Sequence, residues 1–331
     1  MSPRSLLAAL FLFQLGAASL TATEVVWPTS MDRTTIHTPE DYLQATISEN
    51  PFSGSYGMVR EEGQRFHEGV DIRPTSHNPA GEPLDQVFSA MDGKIAYLNN
   101  ATNGPYGKYV VITHPQAELL VYTLYAHLAK IEPSLKTGDA ILRGKPLGLM
   151  GRTSAGAAPI TPDRAHLHFE VGLILSTGFE TWYAAQPENR KSPNLHSLWN
   201  GQNLMGMDPM LVLSRTRANL LDAVRSQTAV VSVTMRTTRP PDFVKRYPML
   251  VSGDAERAAG WRVDFAWQGM PIRWTALEPG NALLPSTRWQ LYAIDQSARK
   301  LLTSRKMITP DAKHPGEILT QNVEILLSGA R

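Results

Sequence analysis

The chain contains no cysteine. No disulfide framework can stiffen it, and neither a thiolate metal site nor a cysteine nucleophile is open to it. Any bound metal must be held by imidazole, carboxylate or carbonyl groups. An excess of one charge is lacking too: 32 Lys and Arg against 30 Asp and Glu leave +2 over 331 residues. Without a long basic cluster, no nucleic-acid partner is expected. No segment after the first residues reaches 18 uninterrupted apolar positions, so no membrane span is expected in the mature protein. Helical periodicity is scarce as well.

What is present begins with an address. Arg4 supplies a positive start, residues 6–15 (LLAALFLFQL) form an apolar run of ten, and small residues follow at Gly16, Ala17, Ala18, Ser19 and Ala22. This pattern predicts a secretory signal peptide over residues 1–22, too short to span a membrane, and a periplasmic or extracellular destination. Residues 23–50 read as a polar leader without clear periodicity.

From about residue 51 the texture is strand-like, with short β-branched and aromatic runs between Gly and Pro: 94–98 (KIAYL), 109–113 (YVVIT) and 120–125 (LVYTLY). A polar, aromatic-bearing stretch at about 176–205 reads as an inserted loop, and 210–226 as one amphipathic helix. Strand-like runs resume at 229–235, 261–267, 289–294 and 322–327. The expected organisation is a mainly β domain over 51–214 and a β-rich C-terminal accessory domain of unassigned role over 215–331. The aromatic residues of that second part suit a core better than an exposed binding surface.

Nine histidines are present, and three segments place them in alternating runs. In 65–72 (RFHEGVDI), His67 and Asp71 share one parity, with Gly69 expected to leave open space between them. In 123–128 (TLYAHL), His127 alternates with Leu124, Ala126 and Leu128; in 165–171 (AHLHFEV), His166, His168 and Glu170 oppose Leu167, Phe169 and Val171. Imidazoles plus a carboxylate suit an open zinc site, in which a fourth position serves water, and a free imidazole nearby can move protons. Periodicity does not say which histidines bind metal and which move protons.

The order HEGVD, YAHL, HLHFEV resembles the lysostaphin/LytM-type zinc endopeptidases, the duplicated hybrid motif family. They cut peptide cross-bridges or stem peptides in bacterial cell walls. The resemblance covers about 120 residues, from FSGSYGMVR at 52–60 to AHLHFEV at 165–171, with DP at 208–209 as a late echo. It implies an antiparallel, barrel-like β catalytic domain and one zinc ion on His67, Asp71 and His168. His127 and His166 then become the pair for proton transfer and transition-state stabilisation, and peptidoglycan peptides the substrate. Glu170 is a candidate support for a ligand, whereas Glu68 has the wrong parity for a base. His114 reads as a strand-end histidine, and His37, His77, His196 and His314 as solvated. Two features depart from the family: a long turn at 154–164 with Ala165 where the family has Pro, and the length of 176–205. The alternatives are a catalytically inactive wall-binding or amidase-activating regulator of the same fold, and a metallopeptidase of ordinary proteins.

Overall fold

The computed structural model describes residues 22–46, 50–60, 65–115, 117–155 and 159–330. The expected signal peptide, residues 1–22, lies outside the described residues except for its last position. The fold is mainly antiparallel β with few helices.

A seven-stranded sheet runs in the order Ala140–Ile141, Gly93–Asn99, Tyr109–His114, Val121–Ala126, Leu167–Ile174, Leu204–Met207. Val70–Ile72 pairs with the first half of Leu167–Ile174, beside Leu204–Met207 on the second half. All these pairings are antiparallel. Leu167–Ile174 is thus the best-connected strand, and all eight of its residues are buried. Its odd-numbered residues Leu167, Phe169, Val171 and Leu173 enter the main core with Val70, Ile72, Val110, Ile112 and Tyr125. Burying Phe169 alone contributes about 1.5–3 kcal/mol. On the even-numbered face Ile174 joins a second cluster with Tyr109, Val111, Tyr122, Leu124, Ala126 and Leu204, against which Tyr97, Tyr106 and Trp199 pack.

Segments that look polar in sequence supply part of the main core. The leader is integral: Thr23–Glu24 pairs with Arg217–Ala218, and Val25, Trp27, Met31, Tyr42 and Leu43 are buried. The stretch expected to be a loop contains helix Phe179–Ala185, whose Phe179, Trp182 and Tyr183 are buried. Spaced by three and four, these aromatics make one helical face, and the helix packs against helix Glu317–Ser328.

Two other expectations change. Residues 210–226 form helices Met210–Leu213 and Leu220–Arg225 rather than one, because Arg217–Ala218 is drawn into pairing with the leader. Asn219 then restarts the helix, its side chain accepting from Asp222 N–H at 3.0 Å. The run 322–327 is the end of helix Glu317–Ser328, not a strand: Leu319, Val323 and Leu326 are buried at helical spacing. The remaining strands of this part form a five-stranded sheet in the order Val251–Ser252, Pro271–Leu277, Gly260–Phe265, Val231–Arg236, Trp289–Ile294. Its Trp261 and Trp274 are fully buried and serve as core.

Candidate functional site

Sheet register brings the site together. His168 stands directly opposite Asp71 on one side and Ala126 on the other. Asp71 is held by two further backbone bonds: its N–H donates to Gly54 O, and its carbonyl accepts from Gln44 N–H of the leader, both at 2.9 Å. His67 and Asp71 do not share one strand as expected. Arg65–Phe66 pairs with Val59–Arg60, Val70–Ile72 with Leu167–Ile174, and 67–69 turn between them. Gly69 leaves no open space either. A Cβ there would lie 2.4 Å from Phe169 O, so glycine is required for the turn to seat against the central strand.

Three side-chain atoms converge. His67 Nε2 lies 3.0 Å from Asp71 Oδ1 and 3.1 Å from His168 Nδ1, and His168 Nδ1 lies 3.0 Å from Asp71 Oδ1. This group can hold a metal ion. Ligand atoms about 2.0–2.1 Å from a tetrahedral ion stand about 3.3–3.4 Å apart, so the triangle needs only a few tenths of an ångström to admit one.

The outer ring nitrogens explain why a cation fits. His67 Nδ1 faces Ser55 O at 2.7 Å, and His168 Nε2 faces Glu170 Oε1 at 2.9 Å. His166 Nδ1 faces Arg164 O at 2.7 Å, and His127 Nδ1 faces Thr153 O at 2.8 Å. Carbonyl and carboxylate oxygens only accept, which assigns these four nitrogens as donors. In neutral rings the opposite nitrogens are lone pairs. Three of them, including His166 Nε2 at 3.4 Å, crowd Asp71 Oδ1. Acceptors converging at this distance repel unless a positive charge lies among them.

Protonation follows the same logic. Burial pushes the Asp71 carboxyl up, but His166, His67 and His168 together hold it well below the usual range. Burial pushes His168 down, yet Asp71 and Glu170 outweigh it and raise the ring to about 10 in the metal-free protein. Burial, helped by His166 and His168, pushes His127 down to about 3. Burial also lowers His166, against the opposing pull of Asp71. His127 and His166 are therefore neutral at physiological pH, each with one nitrogen free.

His127 reaches the site against its parity. Alternation would place it with Tyr125, whose ring contacts Phe169 on the core side at 5.2 Å. Instead its backbone turns left-handed, φ 61°, just past Val121–Ala126. The ring then stands 4.8 Å from His166 and 5.9 Å from His168, centroid to centroid. Such a conformation costs a β-substituted residue about 1–2 kcal/mol. Gly107 has to be glycine beside it: φ is 60°, and a Cβ would lie 2.1 Å from Thr153 O, the carbonyl that orients His127.

Glu170 is fully buried, and besides the His168 N–H it accepts from Tyr106 Oη at 2.6 Å and Tyr122 Oη at 2.7 Å. Its support of a candidate ligand was readable from parity. The two tyrosines were not, since one comes from a turn and the other from a run read as apolar. His114 is buried and satisfied by Asp92 O and Thr123 Oγ1, both at 2.8 Å. His37, His77 and His314 are exposed, and His196 is half-buried against Tyr97 and Tyr109. Ala165 has φ −60°, within proline's range, but its N–H donates to Pro162 O at 3.1 Å, a bond proline lacks.

Residues 65–181 match Peptidase family M23. No curated protein matches the chain. Among solved structures, a putative glycyl-glycine endopeptidase lytM from Ruminococcus gnavus ATCC 29149 is 29% identical, covering 32% of this chain and 39% of its own, with a TM-score of 0.26. A zinc containing peptidase from Vibrio cholerae is 27% identical over 46% of this chain and 37% of its own, TM-score 0.29. The catalytic domain of the antimicrobial peptidase lysostaphin from Staphylococcus simulans is 19% identical over 54% of this chain and 100% of its own, TM-score 0.32. The chain spans under half the length of the first two.

Proposed function

We propose, from the match of residues 65–181 to Peptidase family M23, that the chain is a zinc-dependent endopeptidase that hydrolyses peptide bonds in bacterial peptidoglycan. The observation that carries this reading is the triangle of His67 Nε2, Asp71 Oδ1 and His168 Nδ1, with sides of 3.0–3.1 Å, a spacing that suits three ligands of one cation. Zinc held there would supply a Lewis acid that polarises a carbonyl and brings the pKa of water towards about 7.

The chain's own groups then have separate tasks. Asp71 lends negative charge, and Glu170 fixes the tautomer and tilt of His168. His127 and His166, neutral and anchored through Nδ1, each keep Nε2 free to take a proton from water and return it to the leaving amine. Once protonated, the same nitrogen donates to a developing oxyanion. We place the enzyme outside the cytoplasm, exported by residues 1–22, and divide it near residue 215 into catalytic and accessory parts. Among the described residues, no helix is long and apolar enough to cross a membrane.

The test is metal analysis of the purified chain together with mass spectrometry of fragments released from purified peptidoglycan. One zinc per chain and defined peptide fragments are expected, and His168→Ala should lose both. Undiminished fragment release by metal-free protein refutes the mechanism. A catalytically inactive regulator of the same fold would carry no zinc and release nothing; the presence of all five site groups argues against it.

A further inference from the structure

The geometry points to a carboxylate-binding subsite at Arg305, on the flank of the metal centre, that selects peptides with a free carboxylate near the bond to be cut. This rests on the peptidase reading above. The subsite is a cavity of about 270 Å³ whose lining includes Phe66, Glu68, Gly201, Gln202 and Arg305. It approaches the triangle at two places, one chain neighbour from His67 and one aromatic ring from His168. Glu68 directly follows His67 in the chain. Gly201 sits against Tyr106, a Cβ position 3.2 Å from its hydroxyl, and the Tyr106 ring is 5.7 Å from that of His168.

Arg305 is the unusual member. It is only 7% exposed, and its guanidinium lies 4.3 Å over the Phe66 ring. Among the described residues its side chain makes no hydrogen bond or ion pair, and its buried Nε has no partner. Glu68 on the same cavity supplies a nearby opposite charge but no hydrogen bond; a buried guanidinium without a hydrogen-bond acceptor is costly, and its planar fork fits a carboxylate edge-on while its face stays stacked. The neighbouring cation is already engaged, with Lys306 Nζ 3.5 Å from Glu317 Oε2. Glu68, on the same cavity, offers an acceptor to an amide N–H of the same ligand. The chemistry is therefore that of a peptide bearing a carboxylate, either at its C-terminus or on a γ-linked glutamate.

Calorimetric binding of L-Ala-γ-D-Glu-L-Lys-D-Ala to the full chain, zinc-loaded and zinc-free, tests this. Two analogues, the C-terminal amide and the D-isoglutamine peptide, separate the two carboxylate sources. Removing the recognised carboxylate should weaken binding about 10- to 100-fold, the span of a charge-assisted bond. The same change should matter less than about 3-fold in Arg305→Met, which keeps the stacking on Phe66, while Arg305→Lys retains part of the discrimination. If neither amidated peptide differs from the parent in the unmutated chain, or if discrimination persists in Arg305→Met, the subsite is overturned. The acid–amide comparison needs no variant and so survives any folding defect. Discrimination without release of peptidoglycan fragments would count against the peptidase reading and leave the subsite standing.

Discussion

Replacing Glu170 by Gln isolates the contribution of a single buried charge to the metal centre. The carboxylate takes three hydrogen bonds, from His168 Nε2 at 2.9 Å, Tyr106 Oη at 2.6 Å and Tyr122 Oη at 2.7 Å. Glutamine keeps the volume and an oxygen for the His168 N–H, and Tyr122 can turn its hydroxyl to accept from the new amide. Only the charge disappears. A charge-assisted bond worth about 1.5–3 kcal/mol becomes a neutral one worth about 0.5–1.5, a loss of about 1–1.5 kcal/mol in the orientation and basicity of His168. That converts to a zinc affinity about 5- to 13-fold weaker, at the low end of what such supporting groups contribute. Competition against a chromophoric chelator measures it, with thermal unfolding as the control for an intact fold. Glu170→Ala should behave differently, since it strands two buried hydroxyls and one N–H at about 1–3 kcal/mol each and should lower the melting temperature sharply. If Glu170→Gln binds zinc within about 2-fold of the unmutated chain, the supporting role is wrong.

His127→Ala should retain zinc while peptidoglycan hydrolysis falls at least about 100-fold, as expected for a lost proton-transfer group; loss of zinc in this variant would show that the ring helps hold the metal. Gly69→Ala should destabilise the protein by about 1–3 kcal/mol in denaturant unfolding and weaken zinc binding, because its Cβ would meet Phe169 O at 2.4 Å; an unchanged midpoint would exclude the close approach. Zinc affinity should rise with pH. Metal-free His168 holds a proton up to about pH 10 because Asp71 and Glu170 outweigh burial, and binding must expel that proton. The apparent dissociation constant should therefore increase about tenfold for each pH unit lowered across the neutral range, and a flat profile would rule this out.

The spacings His-x3-Asp and His-x-His made a cluster of imidazole and carboxylate legible, but only the resemblance singled out His168 rather than His166, and the register that sets Asp71 opposite His168 belongs to the fold. His127 shows the limit of alternation. Its parity points to the core side, and only a left-handed residue past the strand end turns the ring back, a backbone event that no side-chain pattern encodes. The resemblance, not the periodicity, assigned it. The leader and the 176–205 segment look like solvated chain because few residues carry their burial: Trp27, Tyr42 and Leu43 in one, Phe179, Trp182 and Tyr183 in the other. Sparse anchors of this kind escape a reading that counts polar residues. At 322–327 a short β-branched window concealed a longer helical period.

The contact between helix Phe179–Ala185 and helix Glu317–Ser328 also sets a timetable. Ser176 Oγ lies 3.2 Å from Ser328 Oγ, a partner made 152 residues later. At about 5–20 residues per second, synthesis leaves Phe179, Trp182 and Tyr183 without their lid for about 8–30 s. During that interval this part of the main core stays open to water, to proteases and to association with other nascent chains. A chain cut or stalled between residues 168 and 328 would carry every histidine of the site and still lack the helix that packs on Phe179–Ala185. The fold that carries the site is thus completed late in synthesis.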